Sequence, residues 1–452
     1  MVKNNSKNKL EGKIGLFPLT NIVIANMIGT GIFTTSGLLM GNLNNPLLMI
    51  FLWIVGGTVA LLGALCYGRL GSEYPVAGGE YVFLSKLYHP LFGFLTGWVS
   101  FIVGFSAPIA AASIGFSEYF TRAFPQIVEL NTTQNIFGPW MIKKLLSVSV
   151  IVLFTLIHLQ GIKRSAKVQN YLTLLKVGLL LALIIFGFSS GKGETSHIFE
   201  GASYNFNIGG WKSIGLSMMW IMFAYSGWNA STYIGSEIKK PKKNIVLSLL
   251  TGTGLVIIIY LFLNVLYIYA VKPEDMKGVI SIGGLAAERL FGTSIERIFS
   301  LLLSFALFSA ISVFIILGPR IYYAMAKNNH FFKFAAKVNP RTQVPALSIL
   351  LQGAISVFLI ISGTFDQILT FMGFALGIFP ILTVLGVFFL KYNKLHVSLI
   401  YKSAALLFAI IYSLILILAF MERSLESSIA ICTVIVGIPA YYLFLRLRKK
   451  NA

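Results

Sequence analysis

Charge is scarce in this chain. Asp, Glu, Lys and Arg make up 11% of its 452 residues, against about a quarter in a soluble globular domain. Acidic residues are scarcer still: 15, against 36 basic ones, leaving a formal net charge of +21. A soluble chain of this length would divide into two or three domains, each needing a polar shell, and there is too little polar surface here to coat them. Cysteine is nearly missing as well. Cys66 and Cys432 both fall within apolar runs, with no paired framework and no metal-ligand spacing, so they read as small buried hydrophobes. His89, His158 and His330 lie near the ends of apolar runs, again without metal spacing. No glycine-rich phosphate loop of the nucleotide-hydrolase kind occurs, and no Ser–His–Asp arrangement. These absences argue against ATP-driven work and against an enzyme, and they call for no cofactor.

Apolar residues take up the room: 56% of the chain, with a mean hydropathy of +0.81. They are gathered into runs near the length of about 20 residues that spans a bilayer. Twelve runs are expected, at Ile14–Met40, Pro46–Tyr67, Leu91–Tyr119, Leu145–Leu159, Val168–Ser189 and Ser213–Gly235, then Ile245–Val271, Ile298–Tyr323, Ala346–Ser362, Thr364–Leu390, Leu399–Phe420 and Ser427–Leu445. The fourth is short unless Trp140–Lys144 extends it. The chain therefore reads as an all-α membrane protein.

The basic residues do not form a nucleic-acid surface. They concentrate in alternate connections: Lys3, Lys7, Lys9 and Lys13; Arg69 and Lys86; Lys163, Arg164 and Lys167; Lys239, Lys240, Lys242 and Lys243; Arg320, Lys327, Lys333, Lys337 and Arg341; Lys391, Lys394 and Lys402; and Arg446, Arg448, Lys449 and Lys450. Positive residues favour the cytoplasmic side, so both termini are expected there, as an even number of spans requires. The basic start, residues 1–13, leads into a run with no small-residue cleavage site, so that run reads as a permanent helix rather than a removed signal. A Lys-, Asn- and Ile-rich composition without a targeting segment points to a bacterial inner membrane.

Two runs are interrupted near their middles. The first reads Asn26-Met27-Ile28-Gly29-Thr30-Gly31-Ile32-Phe33 and the sixth Phe223-Ala224-Tyr225-Ser226-Gly227-Trp228-Asn229. In hydrocarbon every backbone polar group needs a partner, so broken helices occur only where protein or a cavity covers them. Gly and Ser can also serve plain helix packing. The breaks, however, fall at matching places in two five-helix halves, and such pairs point to a transporter site at the bilayer midplane. The N–H groups of Gly29, Thr30 and Gly31, at the start of a half-helix, suit a carboxylate. Carbonyls near Phe223, Ala224 and Tyr225 suit an ammonium group, and Tyr225, Ser226, Trp228 and Asn229 would form the side-chain pocket. A zwitterionic amino acid carries both charges.

At these residues the sequence resembles the amino acid–polyamine–organocation superfamily, and within it the L-type amino acid transporters and their bacterial relatives. The match continues in Tyr74-Pro75-Val76-Ala77-Gly78-Gly79-Glu80-Tyr81, in Gly93-Phe94-Leu95-Thr96-Gly97-Trp98, in Glu237–Ile245, and in Gly318-Pro319-Arg320 with Tyr323-Ala324-Met325-Ala326-Lys327. The resemblance implies a LeuT-like fold. A core over 14–390 would hold two inverted five-helix repeats, about 14–189 and 213–390, followed by two accessory helices over 391–445 and a cytoplasmic tail at 446–452. It also implies substrate contacts from the centres of the first and sixth helices, with Phe223 as a gating aromatic. Transport would proceed by proton-coupled symport or exchange, without sodium. Ser226 stands where many L-type relatives carry another glycine, a difference that bears on side-chain size.

Lys176 is a full charge in the middle of the fifth run, about two turns from its cytoplasmic end. Ionisable groups at such depth default to a functional reading. Sodium-independent members of the resembled family place a lysine here, which implies that Lys176 substitutes its ammonium for a bound cation and contacts carbonyls around Ile24 to Gly29. It is the candidate coupling group. Tyr260 and Asn264, one turn apart on the seventh run, can support the pocket, together with Asn26. Asp366, opening the tenth run, reads as a helix cap.

The leading expectation is sodium-independent transport of amino acids, neutral ones first, through alternating access. Its partners would be a small amino acid, the lipid bilayer and protons, without nucleic acid. A polyamine or cationic amino acid antiporter would favour a carboxylate in the cavity. A channel would favour a repeated filter or rings of charge, and a membrane enzyme acid/base or metal groups. A receptor could keep the same site and differ only in moving nothing.

Overall fold

Proline sets many of the helix starts. It lacks an N–H and holds φ near the helical value, so it fits the first turn. Pro46, Pro90, Pro139, Pro241 and Pro273 all occupy such positions. The computed structural model describes residues 14–76, 78–128, 138–160, 165–200, 203–327, 330–339, 342, 344–393 and 397–449. Residues 1–13 and 450–452 of the expected tails lie outside the described residues, as do Ala77, Lys163, Arg164, Arg341 and Lys394. The described chain is helical, apart from one isolated β-bridge between Ile14 and Ile238.

In order, the helices are α1 (Leu16–Met27), α2 (Gly31–Leu43), α3 (Pro46–Glu73), α4 (Glu80–Leu87), α5 (Pro90–Val99), α6 (Ser106–Ala123), α7 (Pro139–Leu159), α8 (Ser165–Ser189) and α9 (Ile208–Ala224). There follow α10 (Pro241–Ala270), the single turn α11 (Pro273–Met276), α12 (Ile282–Phe291), α13 (Thr293–Lys327), α14 (Ala346–Ser362), α15 (Phe365–Leu385), α16 (Leu399–Glu422) and α17 (Ser424–Lys449). Among the described residues, eight helical stretches are long and apolar enough to cross a membrane, or nine when α1 and α2, bent by 40°, count as one. Leu174–Ser189 and Ala346–Ser362 are shorter apolar helices.

Local structure departs from the expected runs in three places. Trp140–Lys144 do extend the fourth run, which is helical from Pro139. The third is carried through Pro90–Ala123 by a π-helical turn over Ser100–Gly104, which shifts the hydrogen-bond register between α5 and α6. The cap of α15 is Thr364 rather than Asp366. Thr364 and Gln367 form a capping box, while Asp366, one residue inside the helix, accepts from the Thr364 hydroxyl at 2.5 Å and pairs with Arg423 at 3.0 Å.

Small residues let the helices approach closely. A Cβ added at Gly56 of α3 would lie 2.4 Å from Ile221, and one at Gly63 2.7 Å from the Trp228 ring. α3 thereby cradles both α9 and the segment that follows it, while α10 runs along its other side and α13 runs along α6. At one end of the molecule, the α11–α12 hairpin closes over α2: Gly278 donates its N–H to the Gly37 carbonyl at 2.9 Å. Tyr119 of α6 donates to the Phe33 carbonyl at 2.7 Å and accepts from the Gly283 N–H at 3.1 Å. Arg122 clamps the same corner by pairing with Glu288 and, at 2.9 Å, with Glu296. At the opposite end the β-bridge joins Ile14, just ahead of α1, to the segment after α9, through Ile14 N–H to Glu237 carbonyl and Lys239 N–H to Ile14 carbonyl, both at 2.9 Å.

Candidate functional site

The site is built where two helices stop. α1 ends at Met27; Ile28 turns out of helical geometry with φ −72° and ψ 84°, and the Gly29 N–H closes a tight turn onto the Met27 carbonyl at 2.8 Å. α2 restarts at Gly31, so the N–H groups of Gly31 and Ile32 have no preceding helical turn to accept them. α9 ends at Ala224, and the chain continues as turns and two 3-10 segments, Ala230–Tyr233 and Gly235–Glu237. The second half of the sixth run is therefore an irregular arm rather than an α-helix.

The two breaks interlock. A Cβ at Gly31 would sit 2.4 Å from the Ala224 Cα, and one at Gly227, where φ is +98°, would sit 2.8 Å from the Asn26 carbonyl oxygen. Gly31 is needed for close approach, and Gly227 both for approach and for its left-handed φ. Asn26 adds a hydrogen bond from Nδ2 to the Gly227 carbonyl at 3.3 Å. Tyr260 of α10 directs its buried hydroxyl at both breaks, 2.8 Å from the Met27 carbonyl and 3.2 Å from that of Ala224. Asn264, one turn on, donates to the Tyr260 carbonyl at 2.8 Å and accepts from Ser36 of α2 at 2.7 Å. Asn26, Tyr260 and Asn264 thus come together around Ile28–Gly31 and Phe223–Gly227.

Other expected pocket residues turn elsewhere. Tyr225 is fully buried against Trp53 and Tyr260, and its hydroxyl donates to the Trp53 carbonyl at 3.1 Å. Trp228 packs edge-on to Tyr67, 4.7 Å between centroids, and against Phe408 of α16. Both side chains brace the break on α3. Phe223 and Thr30 are buried at the meeting point, and Ser226 is half-buried.

Lys176 on α8 is 2% exposed and donates from Nζ to the Ala25 carbonyl at 3.1 Å. It borders a cavity of about 20 Å³ shared with Ala25, Asn26, Gly29, Ser309 and Phe314. That is room for one water, far too little for an amino acid. The ammonium thus lies beside the first break, on a carbonyl that the last turn of α1 leaves unpaired within the helix.

Sequence reasoning passed over Glu80. It follows the paired glycines 78 and 79, and its half-buried carboxyl accepts from Tyr67 at 2.5 Å, Thr96 at 3.1 Å and Asn229 at 3.2 Å. Asn229 thereby ties the arm to Glu80. The signal is an acid inside a motif read only for its family resemblance. Among the described residues no group of His, Cys, Asp or Glu could hold a metal ion.

The chain is 26% identical over 456 residues to the Asc-type amino acid transporter 1 of Mus musculus, covering 98% of this chain and 82% of that protein. It is 26% identical over 441 residues to the large neutral amino acids transporter small subunit 2 of Homo sapiens, covering 96% and 80%. It is 25% identical over 443 residues to the b(0,+)-type amino acid transporter 1 of Mus musculus, covering 96% and 88%. The amino acid permease family model matches residues 14–439, two broken helices included, and the chain belongs to that family.

Proposed function

We propose that this protein is a sodium-independent secondary transporter of amino acids, neutral ones first, working by proton-coupled symport or exchange. The observation that carries the reading is the meeting of the two breaks, Gly31 against Ala224, beside the Lys176 ammonium. A substrate carboxylate would take the N–H groups of Thr30, Gly31 and Ile32, where the α2 dipole favours negative charge. Its ammonium would take carbonyls of the Phe223–Tyr225 segment, and Phe223 would gate the pocket. Ile28, Gly29, Ser226, Gly227, Trp228 and Asn229 complete the proposed surroundings. The names of the relatives, Asc-type and large neutral amino acids transporters, support this substrate class.

In this reading Lys176 stands in for a bound cation and serves as coupling group, which makes sodium unnecessary. The broken pair, the eight complete spans, the two shorter apolar helices and α9 with its arm would together make the expected twelve. The core would consist of inverted halves near 14–189 and 213–390, and α16 and α17 would be accessory. Both termini would face the cytoplasm of a cell, a bacterial one by composition. The Ile14 end is then the inner end.

The test is reconstitution in liposomes with a panel of radiolabelled amino acids, varying internal substrate and pH gradient, with sodium omitted. Uptake that requires internal substrate marks an exchanger, and uptake driven by an inward proton gradient marks a symporter. Binding without flux would make the protein a receptor, and neither binding nor flux would overturn the reading.

A further inference from the structure

Residues 74–76 and 78–79, ahead of α4, grip the arm that follows α9. Gly78 and Gly79 have φ of +125° and +50°, conformations that suit glycine. The Gly78 N–H donates to the Tyr233 carbonyl at 3.2 Å. A Cβ at Gly79 would lie 2.8 Å from the Tyr233 ring, and one at Gly235 2.9 Å from the Val76 carbonyl. Glu80 follows these residues and reaches the arm at Asn229. The arm also holds Ile14, just ahead of α1, through the Ile14–Ile238 bridge, so whatever loosens the arm loosens that attachment too.

The Glu80 partners are all neutral. Oε1 accepts from the Tyr67 hydroxyl and the Asn229 amide, Oε2 from the Thr96 hydroxyl. The phenols of Tyr233 on the arm and Tyr412 on α16 also face it. The 386–393 segment packed on α4 carries Lys391, whose side chain lies outside the described set. Among the described residues no cation pairs with Glu80. A carboxylate withdrawn from water without a cation is costly even when half-buried. A neutral carboxyl fits these partners, because the Tyr67 and Thr96 hydroxyls can accept its proton as well as donate their own.

We infer that Glu80 is a proton-binding site, neutral while the arm is closed over it and releasing its proton to the inner water when the arm opens. Burial raises the Glu80 carboxyl above the usual carboxylate range, with the bonds from Tyr67, Thr96 and Asn229 opposing. Opening hydrates the group and returns it toward that range. The closed arm therefore binds the proton more tightly, is favoured as pH falls, and loses that advantage as pH rises through the closed-state pKa. Inner pH thus sets how readily the arm lets go. This deepens the transport reading by adding a second titratable group to Lys176; its inner-side placement and its flux consequence rest on that reading, and the titration of the arm does not.

The decisive comparison is hydrogen exchange of residues 226–238 in the liposome-reconstituted full chain between pH 5.5 and 8.5, corrected for intrinsic exchange. The wild type should lose about tenfold in protection as pH rises, while Glu80→Gln, permanently neutral, should keep it. Glu80→Asp should restore a pH response. In flux, Glu80→Gln should lose the dependence of exchange on internal pH. A pH course in Glu80→Gln that matches the wild type would overturn the inference. Should that variant fail to insert, Tyr67→Phe decides: losing a donor to the carboxylate must move the midpoint to higher pH, and an unmoved midpoint would overturn the inference. A wild type that moves no amino acid defeats the transport reading alone, since hydrogen exchange still judges Glu80.

Discussion

Gly31 and Tyr260 are the residues at which the smallest chemical change should be felt most. A methyl group at Gly31 would press on the Ala224 backbone at 2.4 Å, whereas one at Gly254 of α10 meets nothing within 4 Å. Gly31→Ala should reduce amino acid flux by about a hundredfold, as a misplacement of an ångström can, while Gly254→Ala leaves it within about twofold; gel filtration of both variants checks that each is folded. Tyr260→Phe removes the hydroxyl that serves the Met27 and Ala224 carbonyls. Losing a buried hydrogen bond costs about 1–3 kcal/mol, which should appear as a lower thermal midpoint together with a raised KM. Lys176→Ala would leave the Ala25 carbonyl without its ammonium. That variant should lose sodium-free uptake by more than about tenfold. Sodium-dependent uptake by the wild type would contradict the role proposed for Lys176.

Among the elements, the α11–α12 hairpin and the arm after α9 close opposite ends of the same pair of breaks. The Arg122 cluster makes the first closure testable. Glu296 is only 4% exposed, so Arg122→Ala leaves a buried acid without its cation, at a cost of about 3 kcal/mol. Arg289 pairs with Asp275 where both side chains are about half exposed, and its loss should cost less than about 1 kcal/mol. Thermal unfolding in detergent should therefore rank Arg122→Ala well below Arg289→Ala, and equal midpoints would show that the corner bears no load. The elements also differ in how readable they were. The breaks at Gly29–Gly31 and Ser226–Gly227 were legible because glycine and serine interrupt apolar runs that otherwise continue. The π-turn at Ser100–Gly104 was not, since Ser-Phe-Ile-Val-Gly suits an ordinary helix. Tyr225 and Trp228 were read as pocket residues from their position in the motif. Their direction depends on the glycine face of α3, a tertiary fact that the local sequence does not carry. Glu80 escaped for a similar reason, because its partners come from α3, α5 and the arm, as far as 149 residues along the chain.

At the scale of the whole molecule, the two breaks are closed on each other, and the cavity beside Lys176 is water-sized. On the proposed reading, transport requires the α11–α12 hairpin and the arm with its Ile14–Ile238 bridge to part in turn. The most direct test of the central claim is counterflow in sodium-free liposomes, with unlabelled neutral amino acids inside and labelled ones outside, for the wild type and Gly31→Ala. The account predicts labelled uptake that depends on internal amino acid or on an inward proton gradient, and is lost in Gly31→Ala. No movement of any amino acid by the folded wild type, or undiminished movement in Gly31→Ala, would contradict it.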